Sequence, residues 1–189
     1  MLNFTPSTPS TLRMAIKAEA NFLGGPGRIV QIDEAKFGRR KYHRGRLVDG
    51  HWLLDIIEDG SQDFRLEVTQ DNRRNAATLT PLIRRHVARG STIRTDEWLA
   101  YRTLPEHGYS HQTVCHRREF VTPQGVHTQR VEAFWRPLRQ FLSRRRISDE
   151  HYANTTVEYQ WRRYSRSRSI DMFEDLLCAL RHEYPLDQK

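Results

Sequence analysis

Three segments with the character of β-strands follow one another in the first half of the chain, and they restrict its fold more than any other feature. The first is rich in β-branched residues and extends from residue 28 to about residue 38, the second covers residues 51–59, and the third covers residues 62–69. Asp59-Gly60 is a typical turn dipeptide between the second and the third. Together these segments predict a meander of strands.

The remaining elements alternate between helix and strand. Apolar residues recur at helical spacing over residues 79–87, which predicts a helix that begins at the Thr80-Pro81 pair and ends before Gly90. The next predicted elements are a strand over residues 91–95 that leads into Asp96, a helix over residues 98–106 and a strand over residues 110–115. Three further helices are predicted: one begins at Thr128, and the other two cover residues 149–162 and 169–184. This order favours an α/β fold, a mixed sheet flanked by helices with further C-terminal helices, for which the ribonuclease-H-like arrangement is one solution.

The beginning of the chain differs from the rest in its prolines and glycines. It contains Pro6, Pro9 and the run GGPG at residues 24–27. This composition predicts an N-terminal arm and linker over residues 1–28, followed by one folded domain over residues 29–189.

The cysteines and the apolar residues indicate the compartment. Cys115 and Cys178 offer no disulfide framework, so a reducing compartment is expected. No window approaches the roughly 18 consecutive apolar residues of a membrane span, and residues 1–10 lack the basic start and apolar centre of a secretory signal. We therefore expect an intracellular protein without a membrane partner, located in the cytoplasm and nucleoid of a bacterium or in the nucleus of a eukaryote.

The positive charge of the chain is concentrated in one segment. The formal net charge is +8 at pH 7, and residues 117–168 contain twelve Arg, no Lys and five acidic residues, which amounts to +7. Arginine presents a planar fork of donors that suits phosphate oxygens. The segment therefore predicts a surface that binds the nucleic-acid backbone. The candidate contacts include Arg117, Arg118, Arg144, Arg145 and Arg146.

Three acidic residues stand out by their location. Asp33 lies on the first strand, Asp96 ends a later strand, and Glu132 lies in the first turns of the helix that begins near residue 128. Clustered carboxylates repel one another, and two Mg²⁺ or Mn²⁺ ions about 3.5–4 Å apart are the usual way to satisfy them. The spacing also allows Glu34 and Glu97, because neighbours on a strand point to opposite faces.

Five successive motifs resemble those of one family. They are GPGRIVQIDE at residues 25–34, RKYHRGR at 40–46, TDEWLAY at 95–101, GYSH at 108–111 and HTQRVEAFW at 127–135, with Glu158, Trp161 and Arg162 similar to a later motif. In this order they resemble the ISXO-type DDE transposases, which include bacterial insertion-sequence enzymes and animal Merlin-type enzymes. The resemblance covers roughly residues 25–163.

The resemblance implies a ribonuclease-H-like catalytic core that uses two divalent ions to cut and join DNA strands. By position in the motifs, Asp33, Asp96 and Glu132 take the metal-ligand and catalytic roles. The implied partner is double-stranded DNA, both the transposon ends and the target. Transposases in general work as assemblies across paired DNA ends, so we expect a homodimer or a higher oligomer by analogy.

Two further residues are implicated at this site as DNA contacts. The family often has a basic residue seven places after its last acid, where this chain has Arg139. Seven residues return a helix to nearly the same face, so Arg139 is expected to hold DNA phosphate beside the metals. His127 precedes the same helix and is expected at the rim of the site. Pro137 lies within the helix and predicts a kink or a break near Arg136.

Two hypotheses about function follow. In the first, the chain is a DDE transposase that hydrolyses a DNA phosphodiester at a transposon end and transfers the resulting 3′-hydroxyl to target DNA. In the second, it is a domesticated descendant that still binds DNA through its arginine-rich segment and no longer cuts. Retention of all three acids favours the first hypothesis.

Overall fold

The computed structural model describes residues 22–38, 50–114, 129–143 and 147–184. These residues belong to two compact units. The first, the sheet unit, contains the described residues between 22 and 145, and the second, the C-terminal helical unit, contains those from 147 onward. None of the helices within these ranges is long and apolar enough to cross a membrane.

The sheet unit is built on one mixed sheet. Its strands are β1 (Ile29–Phe37), β2 (His51–Glu58), β3 (Phe64–Val68), β4 (Thr92–Asp96) and β5 (Ser110–Val114). They lie in the order β3-β2-β1-β4-β5. β2 is antiparallel to both of its neighbours, whereas β4 is parallel to β1 and β5 is parallel to β4. This order, with β2 alone reversed, is the ribonuclease-H-like arrangement, and the predicted fold class is confirmed.

Four α-helices accompany the sheet in the part of the chain that the structure describes. They are α1 (Ala76–His86), α2 (Gln129–Ser143), α3 (Asp149–Ser167) and α4 (Met172–Glu183). The first two belong to the sheet unit, and the last two belong to the C-terminal helical unit. The predicted order of strands and helices is retained except for the helix predicted between β4 and β5, and several boundaries differ.

α1 and α2 pack against opposite faces of β1. Ile32 is fully buried in an apolar cluster with Leu79 and Ile83 of α1. On the other face, Trp135 of α2 packs against Phe37, with ring centroids 5.5 Å apart. Because side chains alternate along a strand, β1 contributes one set of residues to each helix.

α1 begins earlier than the sequence predicts. Asn75 is its N-cap, and the Asn75 side chain accepts a hydrogen bond from the Thr78 backbone N–H at 3.0 Å. Pro81 therefore lies inside the helix and not at its first position. The predicted start at Thr80-Pro81 is wrong because Asn75 supplies the acceptor that the first turn of a helix lacks.

α2 continues through Pro137, so the helix is not broken near Arg136, and the alternative prediction of a kink there stays a prediction. A proline inside a helix costs about 3 kcal/mol. Against this cost, burying one large apolar side chain contributes about 1.5–3 kcal/mol. The buried face of α2 consists of Val131, Phe134, Trp135, Leu138 and Leu142. Packing of this face on the sheet therefore outweighs the missing backbone hydrogen bond.

Residues 98–106 do not form the single helix that their pattern predicts. They contain the 3₁₀ helix Leu99–Tyr101 and most of a second one, Leu104–His107. Pro105 lies in the second and has no amide hydrogen for a continuous α-helix. The chain then turns at Gly108, whose φ of 86° suits glycine, before it enters β5.

The C-terminal helical unit also departs from the predicted boundaries. α3 extends to Ser167 and so includes most of the Arg/Ser run after residue 162 that the sequence assigns to a connection. Ser165 is fully buried, and its hydroxyl donates to the Trp161 carbonyl at 3.0 Å. α4 begins after Asp171, whose side chain accepts two backbone N–H bonds of its first turn.

The predicted arm, residues 1–28, is described from residue 22 onward. Leu23 is buried and forms a parallel bridge with Val87. The Leu23 N–H donates to the His86 carbonyl at 2.7 Å. The end of the arm thus packs at the end of α1, while the domain boundary at residue 28 stays a prediction.

Candidate active site

Asp33 and Asp96 lie on two neighbouring strands, Asp33 in the middle of β1 and Asp96 at the end of β4. The parallel register pairs Gln31 with Arg94. Extending it by two residues brings Asp33 level with Asp96, and positions two apart on a strand share a face. The two carboxylates are therefore neighbours on one face of the sheet, two residues past the point where the parallel pairing of β1 with β4 ends.

The contacts of Asp33 show which face this is. The indole Nε1–H of Trp135, on α2, donates to Asp33 Oδ2 at 2.7 Å. The backbone N–H of Glu34 donates to Asp33 Oδ1 at 2.9 Å. The Glu34 side chain lies on the other face, where the Tyr101 hydroxyl donates to it. The structure thus places Asp33, and not Glu34, under α2.

Asp96 is oriented by its own turn. Its Oδ1 accepts the backbone N–H of Trp98 at 3.0 Å. Because side chains alternate along a strand, Asp96 shares a face with Arg94. Nη1 of Arg94 lies 3.9 Å from a carboxylate oxygen of Asp59, and Nη1 of Arg130, on α2, lies 3.9 Å from the other oxygen. Glu97, the other acid that the sequence allows, is exposed.

Glu132 belongs to α2, and its position along β1 follows from the contacts of the nearby helix residues Val131 and Trp135. The N–H of Val131 donates to the Gln31 side chain at 3.3 Å, and Trp135 contacts Asp33. The backbone of residue 132 therefore lies between these two contacts, along β1. The Glu132 side chain is outside the described part of the structure. Among the described residues, no group of three His, Cys, Asp or Glu side chains has a geometry that could hold a metal ion.

Arg139 lies on the exposed side of α2. Its guanidinium carbon is 4.6 Å from the centre of the Phe37 ring, at the end of β1. This contact places Arg139 one helical turn beyond Trp135 along the same strand. The other predicted DNA contacts lie outside the described residues and stay predictions: Arg117, Arg118, His127, Arg144, Arg145 and Arg146.

Asp55 was not predicted from the sequence, and it lies beside Asp33. Asp55 is on β2, directly opposite Asp33 in the antiparallel register, and it is fully buried. Opposite residues in an antiparallel pair share a face, so Asp55 also lies on the α2 side. Its only signal in the sequence is a single acid in the middle of the apolar run HWLLDIIE.

A second missed group lies on the other face of the sheet. The guanidinium of Arg74 lies between two indole rings, 4.3 Å from the centre of Trp52 and 4.3 Å from the centre of Trp98. Arg74 Nη1 is also 3.4 Å from Glu34 Oε1. Arg74 precedes α1 and has no motif around it that would mark this role.

Burial raises the pKa of the Glu34 carboxyl from 4.5 to about 7. The hydrogen bond from Tyr101 opposes this rise, the negative charges of Asp96 and Asp33 add to it, and the Arg74 guanidinium opposes it. Burial also raises the pKa of Tyr101 well above its usual value. The Glu34 carboxyl, on the face of the sheet opposite Asp33, thus has a pKa near neutral pH.

The family model of the ISXO2-like transposase domain matches residues 16–164. The chain belongs to this family. In this transposase domain the matched region includes all of β1–β5, α1 and α2, and it ends within α3. The candidate carboxylates Asp33, Asp96 and Glu132 therefore all lie inside the family's domain.

Comparison with solved structures gives a similar chain of low sequence identity. The catalytic core domain of BIV integrase in crystal form I is similar over 82% of this transposase domain's chain and 97% of its own, at 13% sequence identity and a TM-score of 0.48. Comparison with curated protein sequences gives no significant match.

Proposed function

We propose that this transposase domain cuts a DNA strand at a transposon end and joins the resulting 3′-hydroxyl to target DNA. The observation that carries the proposal is the placement of Asp33 and Asp96 at one level on neighbouring parallel strands, under the helix that contains Glu132. A transposase domain with this arrangement has the carboxylates that phosphoryl transfer on DNA requires.

The residues present suit a divalent metal. Mg²⁺ and Mn²⁺ prefer carboxylate oxygens. Asp33 and Asp96 are two such ligands on the same face, and a cation between them would relieve the repulsion of their charges. We propose Asp33, Asp96 and Glu132 as the ligands of two ions. When bound, the ions would supply activation of the attacking water or 3′-hydroxyl and stabilisation of the leaving oxygen.

The chain's own groups orient these ligands. The Trp135 indole and the Glu34 backbone N–H each hold one oxygen of Asp33, and the Trp98 N–H holds Asp96. Such hydrogen bonds restrict the carboxylates to one orientation before a cation binds. The site therefore does not depend on the cation alone for its geometry.

Double-stranded DNA is the proposed partner. Arg139 is exposed on α2, beyond the Trp135 contact, where its guanidinium can reach a phosphate near the carboxylates. The net charge of +7 in residues 117–168 supports backbone binding by the arginines of that segment. Assembly as a homodimer or larger oligomer on DNA is part of the same proposal.

Mn²⁺ binding and nicking of a supercoiled plasmid test this function. Asp33→Asn, Asp96→Asn and Glu132→Gln should each lose Mn²⁺-dependent nicking by more than about a hundredfold, because even indirect partners of metal ligands commonly cost about 10- to 100-fold. Glu97→Gln, an exposed acid next to Asp96, is the matched control and should nick normally.

Retained nicking in one of the three variants would remove that residue from the set of ligands. A parent protein that binds DNA but neither binds Mn²⁺ nor nicks the plasmid would instead support the domesticated, idle descendant.

A further inference from the structure

We propose that Arg74 is a positioning residue that holds Asp33 and Asp96 at a fixed spacing from the opposite face of the sheet. The inference rests on the proposed function, in which these two carboxylates bind the metal. Arg74 touches neither carboxylate. It acts through Glu34, the residue after Asp33, and through Trp98, two residues after Asp96.

The ladder between β1 and β4 does not reach the carboxylates. The parallel pairing of β1 with β4 covers Ile29–Gln31 and Thr92–Arg94. Asp33 and Asp96 each lie two residues beyond the last of these pairs. Their spacing therefore needs another connection between β1 and the end of β4, and Arg74 provides one.

The connection to β1 runs through Glu34. Arg74 Nη1 is 3.4 Å from Glu34 Oε1, and the Glu34 side chain is only 1% exposed. The other oxygen of this carboxyl accepts the Tyr101 hydroxyl. The Glu34 backbone N–H donates to Asp33 Oδ1. Fixing the Glu34 side chain thus fixes the backbone group that orients Asp33.

The connection to β4 runs through Trp98. The Trp98 indole N–H donates to the Arg74 carbonyl at 3.3 Å, and its ring stacks on the Arg74 guanidinium. The Trp98 backbone N–H donates to Asp96 Oδ1 at 3.0 Å. Arg74 therefore holds, with two different groups, the residue that orients Asp96.

The side chain suits this role because a guanidinium is planar. Its guanidinium carbon lies 4.3 Å from the ring centres of both Trp98 and Trp52 while its Nη1 reaches Glu34. A lysine ammonium carries the same charge but cannot stack in this way. Arg74→Lys thus separates the geometry of the side chain from its charge.

The matched control is the neighbouring arginine. Arg73 is exposed, and Arg73→Lys makes the same chemical change at the adjacent position. Both variants are compared with the parent protein for Mn²⁺ affinity without DNA, by calorimetry, and for DNA affinity in EDTA. Thermal unfolding identifies the temperature at which all three proteins are folded.

Arg74→Lys should weaken Mn²⁺ binding by up to about tenfold, the lower end of the effect of losing a direct partner of a metal ligand, because Arg74 acts through such partners. Arg73→Lys should leave Mn²⁺ binding unchanged. Nicking by Arg74→Lys should recover when Mn²⁺ is raised, as expected for lower metal affinity and not for a damaged fold. If Arg74→Lys does not fold, Trp98→Phe tests the same connection, since it keeps an aromatic ring and loses the indole N–H; it should also weaken Mn²⁺ binding.

The proposal would be overturned if Arg74→Lys bound Mn²⁺ as tightly as the parent. If Trp98→Phe is used in place of Arg74→Lys, the same result in Trp98→Phe would overturn it. A loss of DNA affinity in EDTA that is confined to Arg74→Lys would also overturn it, because Arg74 would then be a DNA contact. If the parent binds no Mn²⁺, or if Asp33→Asn binds it as tightly as the parent does, the proposed function itself fails and the inference fails with it.

Discussion

The two faces of β1 differ in what they contribute to the protein. On the α1 face, Ile32 packs into an apolar cluster, and the only acid of that face in β1, Glu34, is buried. On the α2 face, Gln31 and Asp33 point toward a helix that donates hydrogen bonds to both of them. One face therefore stabilises the fold, whereas the other presents oriented polar groups.

Two adjacent acids thus have different environments. Asp33 is partly exposed and accepts hydrogen bonds from the Trp135 indole and the Glu34 backbone, whereas burial raises the pKa of Glu34 to about 7. Environments that separate neighbouring carboxyl groups in this way separate their roles. In this domain Asp33 is the candidate ligand, and Glu34 belongs to the structure that holds it.

The strongest test of this comparison removes apolar volume from the α1 face. Ile83→Ala should lower the free energy of unfolding by about 2–5 kcal/mol, because Ile83 is fully buried and its loss leaves a cavity. The Mn²⁺ affinity of the folded protein should not change. Denaturant unfolding and calorimetry measure the two effects, with the exposed Arg84→Ala as the control. A loss below about 1 kcal/mol would contradict the assignment of this face to stability.

Glu34→Gln should make the stability of the metal-free protein less dependent on pH. The folded-state pKa of Glu34 is raised from 4.5 to about 7, so its contribution is fully present below about pH 4.5 and is lost as the pH rises through 7. Gln does not ionise. The stability of the variant relative to the parent should therefore rise by about 3 kcal/mol over this range, at about 1.36 kcal/mol per pH unit.

Unfolding in EDTA at a series of pH values measures this difference. Glu97→Gln, on the exposed turn after β4, is the control and should follow the parent. A Glu34→Gln profile parallel to that of the parent would show that the pKa of Glu34 is the same in the folded and the unfolded protein and is not raised by burial.

Trp135→Phe tests the α2 face. It keeps a ring against Phe37 but loses the N–H bond to Asp33, which should cost about 1.5–3 kcal/mol of stability and about 10- to 100-fold in Mn²⁺ affinity. Trp161→Phe is the matched control, since Trp161 donates the same kind of bond to Asp175 in the C-terminal helical unit. Mn²⁺ affinity that falls equally in both variants would show that the effect is not specific to Asp33.

The smallest expected effect is at the start of α1. Asn75→Ala removes the side chain that accepts the Thr78 N–H and should lower the free energy of unfolding by about 1 kcal/mol. Asn75→Asp keeps an acceptor and should stay close to the parent in denaturant unfolding. A larger loss in Asn75→Asp than in Asn75→Ala would mean that the cap does not set the start of this helix.

The strands could be predicted from the sequence because their signals are local. β2 differs from its predicted range by one residue at its end, since an apolar run is followed at once by a turn dipeptide. The start of α1 was harder because two local signals compete. Pro81 suggests a first position, but the Asn75 side chain provides the cap.

The candidate site could be predicted only in part. Spacing leaves Asp33 and Glu34 equivalent, because the choice depends on which face of β1 lies under α2, and no local pattern states this. The family motifs select Asp33, and its role as a ligand stays a prediction. Asp55 and Arg74 come from segments that meet β1 only after the chain has folded, so their proximity has no signal in the spacing.

The parallel pairing of β1 with β4 joins residues that are distant in sequence. Gln31 and Arg94 are 63 residues apart (94 − 31 = 63), whereas the hairpin partners Phe37 and His51 are 14 apart (51 − 37 = 14). Closing the longer loop costs more conformational entropy, so we expect the hairpin to form before the parallel pair. On this expectation, Asp33 and Asp96 meet late on the folding pathway. If a cation binds them as proposed, it should lengthen the lifetime of the native domain by slowing its unfolding, while the refolding rate should stay nearly unchanged.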